Sequence, residues 1–214
     1  MIKAVLFDMD GVLIDTEKYL TKFWQQAAAE AGLSLKIEDC YMFRSFASQF
    51  ASVVFQEKYG KEYDYFAIRN RRKELMKAHI ETNGIEIKPE VKETLWAIKQ
   101  KGIQIAVVTA TDEERTKSYL TEIGIYEWFD SVICATMVER GKPFPDVYLY
   151  ACDKIGCTPK ECMAVEDSPN GIQAASDAGC KTVMVPDLTQ PDEDSRKRVI
   201  GVAQTLRGVL EYLD

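Results

Sequence analysis

One histidine, His79, is all the imidazole this 214-residue chain has, and it lies in a basic, helix-patterned segment far from any strand end. It reads as a surface or packing residue, so proton transfer in any reaction falls to carboxylates. The six cysteines (Cys40, Cys134, Cys152, Cys157, Cys162 and Cys180) include no CxxC pair and lie largely in apolar runs. With one histidine they make no zinc set, and buried free thiols are expected. No apolar run approaches the roughly 20 residues a spanning helix needs. The chain opens on a core-type strand with no secretory signal pattern, so a soluble, cytoplasmic protein is expected. Positive charge is also short, with 27 Lys and Arg against 34 Asp and Glu, a net charge of -7. That balance disfavours a nucleic-acid partner, which demands a basic face, but leaves room for a small phosphorylated metabolite held by local cations. There is no internal repeat and no low-complexity segment.

What the chain does have is a set of apolar runs that stop abruptly in acids and hydroxyls. Ile2 to Phe7 ends in Asp8-Met9-Asp10-Gly11-Val12-Leu13, Ile103 to Val108 ends in Thr109-Ala110-Thr111-Asp112, and Cys162 to Val165 ends in Glu166-Asp167-Ser168-Pro169-Asn170-Gly171. Taken alone, the first of these is equally an ordinary Asp/Gly turn. The runs are continuous rather than alternating, which suits strands of a parallel sheet covered on both faces, and each is followed by a helical pattern. Pro89 to Gly102, Thr111 to Gly124 and Ser168 to Gly179 carry helix start and stop residues. Ser131 to Ala135 and Lys181 to Pro186 supply further strands, and Val199 to Leu213 reads as a last helix after a polar loop. The expected fold is an α/β doubly wound parallel sheet. In such a sheet ligands bind beyond the carboxyl ends of the strands, so the three polar ends converge on one site.

Carboxylates two residues apart at a strand end can hold a divalent cation, and one can attack an electrophile while the other manages a proton. Between the second and third polar ends lies Gly141-Lys142-Pro143-Phe144-Pro145-Asp146-Val147-Tyr148. A lone lysine in such a loop is ordinarily solvated. Beside a phosphate and several acids, the same ammonium would balance charge. A cluster of acids that must stay ionised together itself argues for a metal, and Mg²⁺ prefers such hard oxygen ligands.

These pieces, in this order and spacing, resemble the haloacid dehalogenase superfamily, and within it the phosphatases and phosphomutases related to beta-phosphoglucomutase. The matching residues are Asp8-Met9-Asp10-Gly11-Val12-Leu13 with Asp15-Thr16-Glu17, then Thr109, then Lys142-Pro143-Phe144-Pro145 with Tyr148, then Glu166 to Gly171. The resemblance implies that Asp8 is a nucleophile that becomes an aspartyl phosphate and that Asp10 is the general acid and base. It implies that Thr109 donates to the transferring phosphoryl group and that Lys142 neutralises its charge. Asp167, with Glu166 beside it, would complete a Mg²⁺ site begun by Asp8 and the backbone carbonyl of Asp10. Thr16, Ala110 and Asn170 would join Thr109 and Lys142 around the substrate.

The stretch from 15 to 84 contains no core-type strand and reads as helices: Glu17 to Ala31, then two or more between Glu38 and Thr82. It stands where the family places a cap, giving a core domain of residues 1-14 and 85-214 and a helical cap domain of residues 15-84. A cap excludes water from the site. Arg44, in a segment expected to turn between cap helices, is a candidate for gripping a second phosphate or other acidic group on the substrate. The run Arg69-Asn70-Arg71-Arg72-Lys73 reads as a solvated helix face. Leu20 stands where the mutases have a histidine, their glycine-containing substrate loop is not recognisable around Phe43 to Phe50, and Pro89-Glu90 replaces the common Pro-Gly, a change read as harmless. The expected activity is a Mg²⁺-dependent phosphatase acting on a small phosphorylated metabolite, with no membrane partner and as a monomer. The alternative is a beta-phosphoglucomutase-type phosphomutase, which shares every core residue. A phospho-receiver module also uses acidic strand ends, but it is about half this length and lacks such an insert.

Overall fold

The computed structural model describes all residues, 1–214, as a six-stranded, wholly parallel sheet with helices on both faces. The strands are β1 (Ala4–Phe7), β2 (Gln104–Thr109), β3 (Ser131–Cys134), β4 (Cys162–Glu166), β5 (Lys181–Met184) and β6 (Gly201–Val202), in the spatial order β3-β2-β1-β4-β5-β6. The chain runs outward from β1 to β3 on one side and from β4 to β6 on the other, so the order reverses at β1, where ligands gather in open sheets of this kind.

Alternate residues along each strand feed two separate cores. Val5, Phe7, Ile105, Val107, Met163 and Val165 face one way, against α5 (Val91–Gln100), α6 (Glu113–Glu122) and a C-terminal 3₁₀ segment, Leu206–Tyr212. Ala4, Leu6, Ala106, Val108 and Ala164 face the other way, against α7 (Asp146–Lys154) and α8 (Pro169–Asp177). A strand buried on both faces must be apolar at every position, which is why the runs in the sequence are unbroken. The register pairs Phe7 with both Val107 and Val165, so Asp8, Thr109, Glu166 and Asp167 emerge together at one edge.

Between β1 and α5 stand α1 (Glu17–Glu30), α2 (Ile37–Met42), α3 (Ser48–Tyr59) and α4 (Tyr65–Asn83), with a third core of their own built on Trp24, Phe43, Phe55 and Tyr65. Asp64 caps α4 by accepting from the N–H groups of Phe66 and Ala67, and Gly32 ends α1 with φ 80°. This helical layer rests on the sheet edge. The Ala47 N–H donates to the Lys142 carbonyl at 2.8 Å, and the Phe50 and Phe144 rings lie 4.7 Å apart.

Two expectations fail here. The expected last helix is instead the edge strand β6 after a short α9 (Glu193–Arg198), followed by the 3₁₀ segment. Gly201 and Val202 pair with Val183 and Met184, and the Tyr212 ring packs so closely on Gly201 that a Cβ there would collide with it. Glu90, where glycine is common, adopts φ 62°, a left-handed backbone that a residue with a Cβ enters at a cost of about 1 kcal/mol. The substitution is therefore strained rather than harmless. No helix is long and apolar enough to cross a membrane.

Candidate active site

Each polar side chain reaches the sheet edge by a simple local device. Asp8 continues β1 and stays in register because its N–H donates to the Val165 carbonyl at 3.0 Å. The chain then turns sharply at Gly11 (φ 85°), where a Cβ would collide with the Asp167 carboxylate; the glycine lets the first acidic strand end lie against the third. Asp10 consequently points back over the sheet. Thr16 donates to its Oδ1 at 2.5 Å and Thr111 to its Oδ2 at 2.9 Å, so both oxygens are oriented by hydroxyls from two different elements.

Lys142 arrives from the loop before α7 and is completely buried. Its ammonium donates to Asp8 Oδ1 at 2.6 Å, to Glu166 Oε1 at 2.6 Å and to the Val108 carbonyl at 2.9 Å, which uses all three of its donors. The Tyr148 hydroxyl also donates to Glu166 Oε1 at 2.6 Å, and Ser168 reaches Glu166 Oε2 at 3.4 Å. Burial alone would strip the charge from this lysine. Asp8 and Glu166 outweigh it and hold the ammonium above its ordinary range. Burial likewise pushes Asp8 up, with Glu166 and Asp167 adding to it and Lys142 opposing.

The carboxylate oxygens of Asp8, Glu166 and Asp167 come within 4.8 Å of one another. Glu166 has partners on both oxygens, whereas Asp8 Oδ2 and Asp167 Oδ1 are buried with none. A buried carboxylate oxygen without a donor is costly. Two such oxygens, both hard donors, converging from β1 and β4 suit a small divalent cation. The residues present therefore fit a magnesium site, with Asp8 and Asp167 offering the open oxygens and Glu166 fixing Lys142 beside them. The Asp10 side chain is not in this cluster.

The remaining expected residues divide into two groups. Thr109 and Ala110 line the pocket over Asp8 and Asp10, and Thr109 Oγ1 accepts from the Thr111 N–H at 3.1 Å, which leaves its hydroxyl hydrogen free to donate into the pocket. Thr16 acts on Asp10. Asn170 does not line the pocket: its amide donates to the carbonyls of Met42 and Arg44, at 3.0 and 2.8 Å, and so anchors the turn after α2. Arg44 is buried in that turn. One guanidinium nitrogen pairs with Asp167 Oδ2 and contacts the Asp167 carbonyl at 3.3 Å, another donates to Thr189 at 3.2 Å, and Nε lies 3.6 Å from Glu17. Its two terminal nitrogens grip the end of β4 and Thr189, while its Nε is buried without a hydrogen-bond partner and the residue lines the pocket with Asp8 and Asp10.

The sequence reading missed four contributors. Thr111 and Tyr148 sit inside the quoted motifs but showed no role until the fold brought them to Asp10 and Glu166. Arg69 and Arg72, read as a solvated face, line the pocket together with Asp8 and Asp10. His79 takes no part; it stacks on Tyr19 at 4.1 Å between ring centres.

Comparison with known proteins agrees with this geometry. The family model of the haloacid dehalogenase-like hydrolases matches residues 5–185. The chain is 33% identical over 187 residues to YhcW of Bacillus subtilis, covering 87% of this chain and 84% of that one. It is 31% identical to hexitol phosphatase A of Escherichia coli over 185 residues, 86% of this chain and 82% of the relative. Among solved structures, the beta-phosphoglucomutase of Clostridium difficile superposes with a TM-score of 0.82 at 21% identity, covering 100% of this chain and 96% of that one. A family match that spans the sheet from β1 to β5, with Asp8, Lys142 and Asp167 assembled as described, shows that this chain is an enzyme of the haloacid dehalogenase-like hydrolase family.

Proposed function

We propose that the enzyme is a magnesium-dependent phosphatase that cleaves a small phosphorylated metabolite through an aspartyl-phosphate intermediate on Asp8. The observation that carries this reading is the pairing of a buried carboxylate with a buried ammonium: Lys142 holds Asp8 at the point where the strand order reverses, 2.6 Å away, with Asp10 two residues on and oriented by Thr16 and Thr111. In this reading Asp8 attacks phosphorus and the bond to the leaving oxygen breaks, while Asp10 gives that oxygen its proton. Asp10, now ionised, then takes a proton from the water that hydrolyses the acyl phosphate. Thr109 donates to the phosphoryl group, and the Lys142 ammonium beside Asp8 neutralises charge as it builds there. Bound between Asp8 and Asp167, magnesium would screen the converging acids and draw charge from the phosphoryl group.

Residues 15-84, with a hydrophobic core of their own, are proposed as a cap domain over a core of residues 1-14 and 85-214. A helical layer seated on the sheet edge would exclude water until substrate is held. Phosphatase is preferred to phosphomutase because Leu20 stands where the mutases have a histidine, and because hexitol phosphatase A and the fructose-1-phosphate phosphatase YqaB of Escherichia coli, at 31% and 28% identity, are phosphatases. The phosphomutase reading is kept second because Arg69 and Arg72 give the pocket a cationic wall that a bisphosphate would also use.

A phosphate-release screen over sugar phosphates and nucleotides, with and without magnesium and with Asp8→Asn as the blank, tests the proposal. Magnesium-dependent release that Asp8→Asn abolishes is expected. Incubation with beta-glucose 1-phosphate and the glucose bisphosphate separates the two readings. Rapid glucose 6-phosphate formation that outpaces release of phosphate would establish the mutase.

A further inference from the structure

Helix α4 sorts its arginines by face. Arg71 pairs with Glu30 at 2.6 Å and with Glu74 at 3.0 Å, and Lys77 lies 3.8 Å from Glu81; these point to solvent and are matched. Arg69 and Arg72, three residues apart and hence on one face, turn the other way into the pocket that holds Asp8 and Asp10. Neither has a carboxylate within ion-pair distance. The Arg72 guanidinium lies over the Trp24 ring, 4.9 Å from its centre, and its Nε is buried without a hydrogen-bond partner. Arg115, at the start of α6 on the sheet side, lines the same pocket but is matched by Asp112 at 2.9 Å.

Two partly buried guanidiniums with no ion-pair partner are costly to a folded protein. Their positive charge is disfavoured: burial and the mutual repulsion of Arg69 and Arg72 lower Arg72 to about 10. The packing of α4 does not require them, because Tyr65, Ile68 and Met76 fill its buried positions. Lys142 and the magnesium site already serve the transferring phosphoryl group at the strand ends. The unmatched pair stands on the helical layer above.

We infer that Arg69 and Arg72 form a subsite for a second anionic group of the substrate, a carboxylate or a second phosphate carried at the end remote from the phosphoryl group that reaches Asp8. The inference rests on the phosphoryl-transfer reading of the Asp8 site and names the substrate class. A compact phosphorylated acid or a bisphosphate would be preferred to a neutral-tailed phosphate ester. Arg69 and Arg72 then act as specificity residues that lower KM rather than raise kcat.

Matched pairs of substrates test this. Phosphoglycolate against 2-hydroxyethyl phosphate isolates a carboxylate, and fructose 1,6-bisphosphate against fructose 1-phosphate isolates a second phosphate. At least one anionic-tailed member is expected to exceed its neutral partner in kcat/KM by about 10-fold or more, the worth of one charge-assisted hydrogen bond. Whichever pair responds names the anion. Arg72→Met should abolish that preference by raising KM for the anionic-tailed member far more than for its neutral partner, and Arg72→Lys should restore part of it. Its melting temperature should hold or rise, since an unmatched charge is removed. Equal kcat/KM within both pairs, or equal losses on anionic and neutral substrates in Arg72→Met, would overturn the subsite. Thermal shifts with phosphonoacetate and ethylphosphonate make the same comparison without turnover. If no substrate releases phosphate yet phosphonoacetate alone stabilises the protein, and does so only with Arg72 present, the subsite stands and the phosphatase reading falls.

Discussion

Lys142 and Asp8 are 134 positions apart in the chain and 2.6 Å apart in space, and neither side chain has appreciable contact with solvent. An ion pair buried this deeply is not a gain in stability by itself, because both charges lose their hydration. It persists because the same ammonium also serves Glu166 and the Val108 carbonyl, so removing either partner leaves the rest unmatched.

Lys142→Met should therefore destabilise the fold by about 3–5 kcal/mol, or roughly 10 °C in melting temperature. The deficit has a sign in pH. Without the ammonium, the folded-state carboxyl of Asp8, which burial already pushes up, titrates above its unfolded value, so the variant should be most stable in acid and lose stability as pH rises. Melting curves at pH 5 and pH 8 check this, and a deficit equal at both would separate Lys142 from the titration of Asp8.

A second pH effect belongs to Glu17, at the start of α1. Burial pushes its carboxyl up to about 8, opposed by Arg44 and reinforced by Asp10 and Asp8. The unfolded chain releases this proton near the ordinary 4.5, so between that pH and about 8 the folded state binds more protons and stability falls as pH rises. In metal-free protein, Glu17→Gln should match the parent at pH 5 and melt higher at pH 8. Parallel stability curves for the two proteins would remove Glu17 from the pH response.

The strand ends were legible because their information is local. Continuous apolar runs, a turn glycine at Gly11 and helix punctuation at Ser168-Pro169 are each written within a few residues, and the three polar ends needed only a parallel sheet to meet. The pocket's other wall was not legible. Charges are scattered around α4, so the sequence alone does not say that Arg71 meets Glu30 while Arg72 faces the pocket; that depends on how α1 and α4 pack through Trp24 and Tyr65. Arg44 was legible as a turn residue but not as a partner of Asp167, because the contact joins elements 123 positions apart. The tail misled because Gly201 and Val202, weak strand formers as a pair, are held by the edge of β5 and the Tyr212 ring.

Glu90 offers a test of backbone strain that touches no chemistry. It holds φ 62° before α5, and its Oε2 is buried without a partner. Glu90→Gly relieves both, against the larger entropy a glycine brings to the unfolded chain. A net gain of about 1 kcal/mol is expected, which is about 2–4 °C for a chain of this size. Glu90→Ala, which keeps the Cβ, should recover only the part due to the buried oxygen. An equal gain in both variants would locate the cost in the carboxylate rather than the backbone.

The role assigned to Asp10 makes the most demanding prediction, because it concerns a proton rather than a fold. Thr16 and Thr111 hold its two oxygens, so Asp10→Asn should keep the same place with a carboxamide that accepts from one hydroxyl but has no acidic proton to give. If Asp10 protonates the leaving oxygen, the loss should depend on how much that oxygen needs a proton. A sugar phosphate leaves as an alkoxide and should slow by roughly 10²- to 10⁴-fold, the usual worth of general acid catalysis. An aryl phosphate such as 4-nitrophenyl phosphate leaves as a stable phenolate and should lose far less in the step that forms the aspartyl phosphate. If the same residue also activates the water, hydrolysis of the proposed intermediate should slow with both substrates, so rapid mixing with the aryl ester should show a burst of nitrophenol equal to the enzyme present. The burst distinguishes the two steps. Equal losses on both esters with no burst would place Asp10 in metal binding or structure instead of proton transfer.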